Sequence, residues 1–234
     1  MNIERSKRGR VMHRSISYGA SVNGTPLQVI LPKDGTVEYL LLAAHHGDEP
    51  ETTVALSSAL RSVPPENLKS AVILVANPDG LMLGTRGNAN GVDLNRNFPT
   101  SDWGTIPIRY RWTMDSPRDV ELSPGSTGGS EPETQALIKL VKEISPKAII
   151  TLHAPLDCID DVNGSELAQW IASHTELPIV RDVGYPTPGS FGTWAKENNQ
   201  NLITFELGNQ SIETSRARFE ETLVKLLMAD VDCS

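Results

Sequence analysis

Four short apolar runs set what this chain can fold into: VEYLLLAA (37–44), AVILVA (71–76), AIITLH (148–153) and NLITFEL (201–207). Each has the length of a strand, stays apolar on neighbouring positions and is bounded by turn residues. A strand that shows one face to water alternates polar and apolar side chains; a strand covered on both faces does not. The segments between the runs are amphipathic and of helix length. The expected fold is therefore α/β, with helices on both sides of a mixed, mostly parallel sheet.

The helices fall into place around these runs. Residues 51–63 form an amphipathic stretch stopped by Pro64-Pro65. SEPETQALIKLVKEI (130–144) opens with Ser130 as the expected N-cap, Pro132 near the first turn and Glu133 three residues past the cap. SELAQWIASH begins at Ser165, and GSFGTWAKENN (189–199) and SIETSRARFEETLVKLLMAD (211–230) complete the set. Residues 78–129 read mostly as loop, rich in Gly, Asn, Pro and Arg. So long a loop inside a compact domain is usually functional. With no repeat, no low-complexity tract and no composition break, residues 1–234 are expected to form a single domain.

Composition removes some function classes. A net charge of −8 argues against a general nucleic-acid binder, which needs a basic surface to neutralise phosphates. No apolar run reaches the ~18 residues of a membrane span. The N-terminal MNIERSKRGRVMHRS is basic but lacks the apolar segment of a secretory signal, so a cytoplasmic location is expected. Cys158 and Cys233 fit a reducing compartment. Cys158 follows His153 closely, but reads as a small buried side chain rather than a site residue.

The apolar runs share a second property: polar groups sit at their ends. His45-His46-Gly47-Asp48-Glu49 follows the first and Asn77-Pro78-Asp79 the second; His153 ends the third and Glu206 lies near the end of the fourth. Ligands of open α/β sheets bind beyond the carboxyl ends of the strands, so groups distant in sequence can meet there. Two of the chain's five histidines are adjacent in the first cluster. Zinc takes imidazole nitrogen and carboxylate oxygen, and a catalytic site leaves a position open for water. His46 and Glu49, three apart, would share one face of a helical turn, with His153 as third ligand. The HxxE tetrapeptide also occurs by chance. It is neither HExxH nor HxxEH, because Pro50 follows Glu49. The alternative is a polar turn after a buried strand, and His45 is a rival first ligand.

Further segments extend the pattern: NPDG (77–80), DLNRN (93–97), SEPE (130–133), the lone His153 and ITFELG (203–208). This ordered set, spread over about residues 37–210, resembles the zinc metallocarboxypeptidase family. GYPTPGSFGTWA (184–195) and the short chain narrow the likeness to members that act in cell-wall recycling. The resemblance implies an eight-stranded, largely parallel sheet flanked by helices and one Zn2+ per chain, held by His46, Glu49 and His153. His45 then packs behind His46. Glu206 matches the general base that takes a proton from water and passes it to the leaving amine. Zinc lowers the pKa of that water towards ~7 and polarises the scissile carbonyl. Arg86 matches the group that stabilises the oxyanion. Asn95 and Arg96 match the pair that holds the substrate's terminal carboxylate, a task suited to the guanidinium fork. Tyr185 matches a tyrosine that closes over the substrate, and Asp93 orients the loop.

The implied reaction is zinc-dependent hydrolysis of the γ-D-glutamyl–meso-diaminopimelate bond of murein tripeptide, a small peptide substrate. The alternatives are another carboxypeptidase or an N-acyl amino acid deacylase on the same scaffold, or a silent binder of cell-wall peptide. For the charges at the far end of diaminopimelate, Arg109, Arg111, Arg181, Asp157, Asp160 and Asp161 are all candidates. DCIDD (157–161) reads equally as an amine-binding edge or a solvated acidic loop. A two-fold homodimer is the default for a soluble oligomer.

Overall fold

The computed structural model describes residues 9–111 and 119–232. The chain begins with an antiparallel pair, β1 (Ser15–Ala20) and β2 (Pro26–Ile30). It continues through β3 (Tyr39–Leu42), α1 (Pro50–Arg61), β4 (Ala71–Ile73), α2 (Pro78–Leu83), β5 (Ile108–Arg111) and β6 (Asp119–Leu122). Then come α3 (Pro132–Ile144), β7 (Ala148–His153), β8 (Leu156–Asp160), α4 (Glu166–Thr175), β9 (Ile179–Val180), α5 (Phe191–Glu197), β10 (Leu202–Gly208) and α6 (Ile212–Met228).

Eight strands form one sheet in the order β1-β2-β4-β3-β7-β10-β8-β9, and β5 pairs with β6 apart from it. The four apolar runs are its centre. β4, β3, β7 and β10 are mutually parallel, whereas β2 joins β4 and β8 joins β10 antiparallel. This is the mixed, largely parallel eight-stranded α/β sheet expected from the sequence.

The continuous apolar runs have the predicted cause. Along β7 every residue is buried, because two apolar layers cover the sheet. One layer joins Leu41, Ile150, Leu152, Ile159, Ile203 and Phe205 to Leu56 and Leu60 of α1, Ile171 of α4 and Phe219 and Leu223 of α6. The other joins Leu40, Leu42, Ile73 and Ile149 to Leu137, Leu140 and Val141 of α3 and Phe191 and Trp194 of α5. Successive strand residues feed opposite layers, as the two-residue period requires. Each fully buried Leu or Phe contributes roughly 1.5–3 kcal/mol.

The structure corrects the sequence reading in two places and refines it in a third. Glu131, not Ser130, is the N-cap of α3, and no side-chain oxygen caps that helix. The Ser130 hydroxyl instead donates to Glu131 Oε1 at 2.7 Å and accepts from Asn97 Nδ2 at 3.0 Å. Glu133 does not return to the cap; it accepts from the Val22 amide at 3.0 Å. Residues 78–129 are mostly loop, as read, but short elements form within them. Asn77 accepts from the Gly80 amide with Pro78 at the first position, which starts α2, and a 3-10 turn spans Leu94–Arg96. Finally, the acidic stretch 157–161 is not a solvated loop. It lies in β8, with Cys158 and Ile159 buried against β10. Among the described residues, no helix is long and apolar enough to cross a membrane.

Candidate active site

The carboxyl ends of β3, β7 and β10, neighbours in the sheet, converge on one crevice. As the chain leaves β3, Ala44 adopts a left-handed conformation (φ 47°), which turns residues 45–49 over the sheet edge. Thr52 holds this turn: its hydroxyl accepts from the Ala44 amide at 3.0 Å and donates to the Glu49 carbonyl at 2.7 Å. Gly47 is required there, since a Cβ would lie 2.0 Å from the Gly80 backbone. His46 and Glu49 therefore do not share a helical face. They sit on the turn that precedes α1, with Glu49 as its N-cap and Pro50 at its first position.

His46 and Glu49 meet His153, the last residue of β7. His46 Nδ1 lies 2.8 Å from Glu49 Oε1, His153 Nδ1 is 3.1 Å from Glu49 Oε2, and the two Nδ1 atoms are 3.1 Å apart. One ligand atom from each residue falls within a 4.8 Å cluster, and all three residues are buried. Two imidazole nitrogens that face each other at 3.1 Å and share one carboxylate bring three Lewis bases round a single point. That donor set fits a divalent cation such as zinc, with the two histidines and the glutamate as ligands. The second ring nitrogen of His46 lies 3.3 Å from Asp93 Oδ1, an outer carboxylate of the kind that orients a ligating imidazole.

Burial disfavours charge on Glu49, but His46 and His153 outweigh it and hold the carboxyl well below its usual range. Burial and Arg86 also oppose charge on His46; Glu49 and Asp93 outweigh them and raise it to about 9. His153, where burial dominates, is lowered. His45 is no ligand in this cluster. Its ring stacks on His46 at 5.8 Å and meets Phe98 and Phe191 edge-on, and burial keeps its pKa well below the ordinary value.

The remaining groups ring the cluster. Glu206, on β10, is the register partner of His153. It is buried, and the Leu156 amide donates to its Oε2 at 3.4 Å. Burial, and next Glu49, push its carboxyl up to about 7. Arg86 donates from Nε to Asp93 Oδ2 at 2.9 Å and reaches Glu49 Oε1 at 3.4 Å, which fixes its guanidinium beside the cluster. Burial opposes its charge, but Asp93 and Glu49 raise its pKa above the usual arginine value. Asp93 Oδ1 also accepts from the Asn95 amide and so shapes the turn that carries Asn95 and Arg96. Asn95 Oδ1 accepts from the Phe191 amide at 2.9 Å, and Arg96 donates to the Asn95 carbonyl at 2.7 Å.

His46, Glu49, Arg86, Asn95, Arg96, His153, Tyr185 and Glu206 all line one cavity of about 700 Å3. Asp160 and Asp161 line it too, but Asp157, Arg109 and Arg181 do not. The Arg111 side chain lies outside the described residues. Sequence reasoning gave Asp93 a role in its own loop only and missed its contact with His46. Thr151, which also lines the cavity, was not singled out. The one signal for it is its position two residues before His153 on the same strand.

A buried two-histidine, one-glutamate cluster with a carboxylate and an arginine poised beside it is the equipment of a metallohydrolase, and comparison with known proteins agrees. The zinc carboxypeptidase profile matches residues 8–159. Murein peptide amidase A of Escherichia coli (strain K12) is 44% identical over 225 residues, 95% of this chain and 93% of that protein. Murein peptide amidase A of Vibrio campbellii (strain ATCC BAA-1116) is 44% identical over 232 residues, 98% of this chain and 94% of the relative. The crystal structure of murein-tripeptide amidase from Escherichia coli O157 superposes with a TM-score of 0.89 at 41% identity, covering 97% of this chain and 98% of that one. The chain belongs to the zinc carboxypeptidase family.

Proposed function

We propose that this chain is a zinc-dependent amidase that hydrolyses the γ-D-glutamyl–meso-diaminopimelate bond of murein tripeptide, acting as a single domain in the cytoplasm during peptidoglycan recycling. The observation that carries this reading is the 44% identity to murein peptide amidase A across 95% of the chain.

Zinc, when bound by His46, Glu49 and His153, supplies a Lewis acid that polarises the scissile carbonyl and acidifies water. The chain's own groups do the rest. Asn95 and Arg96 bind the carboxylate of the leaving residue, and the fork of Arg96 fixes its orientation. Glu206 takes a proton from the attacking water. Its carboxylate, buried beside the cluster, is placed to accept that proton and to give it back to the departing amine. Arg86, held by Asp93, offers donors to the carbonyl oxygen as it gains charge. Tyr185, half-exposed at the mouth, closes over the substrate.

The test is mass spectrometry of the purified protein incubated with L-Ala-γ-D-Glu-meso-diaminopimelate, with and without a chelator. Free diaminopimelate should appear only without chelator. Release of C-terminal residues from ordinary L-peptides in its place would keep the mechanism and discard the cell-wall substrate.

A further inference from the structure

Away from the metal cluster, the cavity is floored by the sheet itself. Thr204 of β10 pairs in register with Thr151 of β7 on one side and Asp160 of β8 on the other. The next row towards the carboxyl end of β10 is His153, Glu206 and Cys158. Side chains two residues apart on a strand share a face, while Leu152, Phe205 and Ile159 between them enter the opposite core layer. Thr151, Thr204 and Asp160 therefore form a row on the floor of the cavity, and all three line it.

Two members of that row hold unused polar atoms. Thr151 is 2% exposed, and its Oγ1 has no hydrogen-bond partner among the described residues. The acidic neighbours of Asp160 on β8 and the loop after it are committed elsewhere. Asp157 accepts from Arg218 Nη1 at 2.9 Å, and Asp161 accepts from the Asn163 and Ser165 amides and the Ser165 hydroxyl at the start of α4. The Asp160 carboxylate has neither a hydrogen bond nor an ion pair among the described residues. Burial, with Asp161 and Asp182 nearby, raises its pKa, as expected of a carboxylate without a cation beside it. A buried hydroxyl and a half-buried carboxylate aimed into one cavity call for a donor from outside.

We propose that Asp160, with the hydroxyls of Thr151 and Thr204, binds the ammonium group at the far end of the leaving residue's side chain. This rests on the reaction proposed above. The row lies two strand residues, about 7 Å, from the level of Glu206. Four carbon–carbon bonds of ~1.5 Å separate the two amino-bearing carbons of diaminopimelate, which carries the ammonium to that level. An ammonium has three donors, and the row offers three acceptor groups. Lys196, on α5, lines the same cavity and carries the charge opposite to the carboxylate that diaminopimelate bears beside that ammonium.

The experiment compares kcat/KM for L-Ala-γ-D-Glu-X, where X is meso-diaminopimelate, L-lysine or L-norleucine, in wild type, Asp160→Asn and Thr151→Val. Asp160→Asn should lower the preference for diaminopimelate and lysine over norleucine by ~10–100-fold, because a hydrogen bond to a charged group is lost. The change should appear mainly in KM, as for a contact made equally in ground and transition states. Thr151→Val should shift the ratio the same way by a smaller factor. It tests the row even if Asp160→Asn does not fold, since the lost hydroxyl has no partner in the fold. An unchanged ratio in the variants, or an equal loss on all three substrates, overturns the assignment. A wild-type enzyme that favours norleucine over diaminopimelate sinks the murein reading itself and this inference with it; a wild type that favours diaminopimelate while Asp160→Asn keeps its ratio sinks this inference alone.

Discussion

Glu206 works because of where it is held. A strand side chain buried on the floor of a cavity loses water, which disfavours its charge, and Glu49 adds repulsion, so its carboxyl rises from the ordinary 4.5 to about 7. Substituting Glu206→Gln keeps the shape and the metal ligands but removes the proton acceptor. Turnover of murein tripeptide should fall by ~10²–10⁴-fold while zinc content by elemental analysis stays at the wild-type level. The same shift has a signature in stability. With the metal chelated, the folded state retains a proton that the unfolded chain has lost between pH 4.5 and about 7. Stability from this group is therefore present below the unfolded pKa, falls as pH rises through that window and levels off above it. Chelated Glu206→Gln should melt higher than chelated wild type at pH 8 and level with it at pH 4. A higher wild-type melting temperature at pH 8 would contradict the burial argument.

At the scale of elements, the cavity walls depend on a few polar pins rather than on propensity. Asn97 donates from Nδ2 to the Pro124 and Thr127 carbonyls and to Ser130 Oγ, and its Oδ1 accepts from the Glu131 amide. It thus ties the turn that carries Asn95 and Arg96 to the start of α3. Truncation leaves buried partners unpaired, each costing ~1–3 kcal/mol. Asn97→Ala should lower unfolding free energy by ~2–4 kcal/mol in urea titration and raise KM by loosening Arg96. Helix starts were easiest to read where a serine oxygen accepts from the amide three residues on: Ser165, Ser190 and Ser211 all cap helices that the sequence reading opened at or next to them. Ser130 misled because its hydroxyl is taken by Asn97 and Glu131, neither of them predictable from local sequence.

For the whole molecule, the metal cluster ties two distant segments together, the turn from His46 to Glu49 and the end of β7, so occupancy and folding are coupled. An ion that binds the folded chain and not the unfolded one stabilises by mass action. Chelation should lower the melting temperature of wild type. His153→Ala, which removes one of three ligands, should release zinc and show no further drop on chelation. The sequence by itself determined the sheet and the polar ends of its central strands. Burial on two faces forces continuous apolar runs, and the ordered motifs from His46 to Glu206 name the residues that line one cavity. Only the tertiary structure decided what those residues touch. Strand order put β7 and β10 side by side, register placed Glu206 beside His153 and Asp160 beside Thr204, and the turn at Ala44 swung Glu49 towards His153. These pairings are contacts between residues up to about a hundred positions apart. They are set by packing and hydrogen-bond register across the sheet, of which a local stretch of sequence carries no trace.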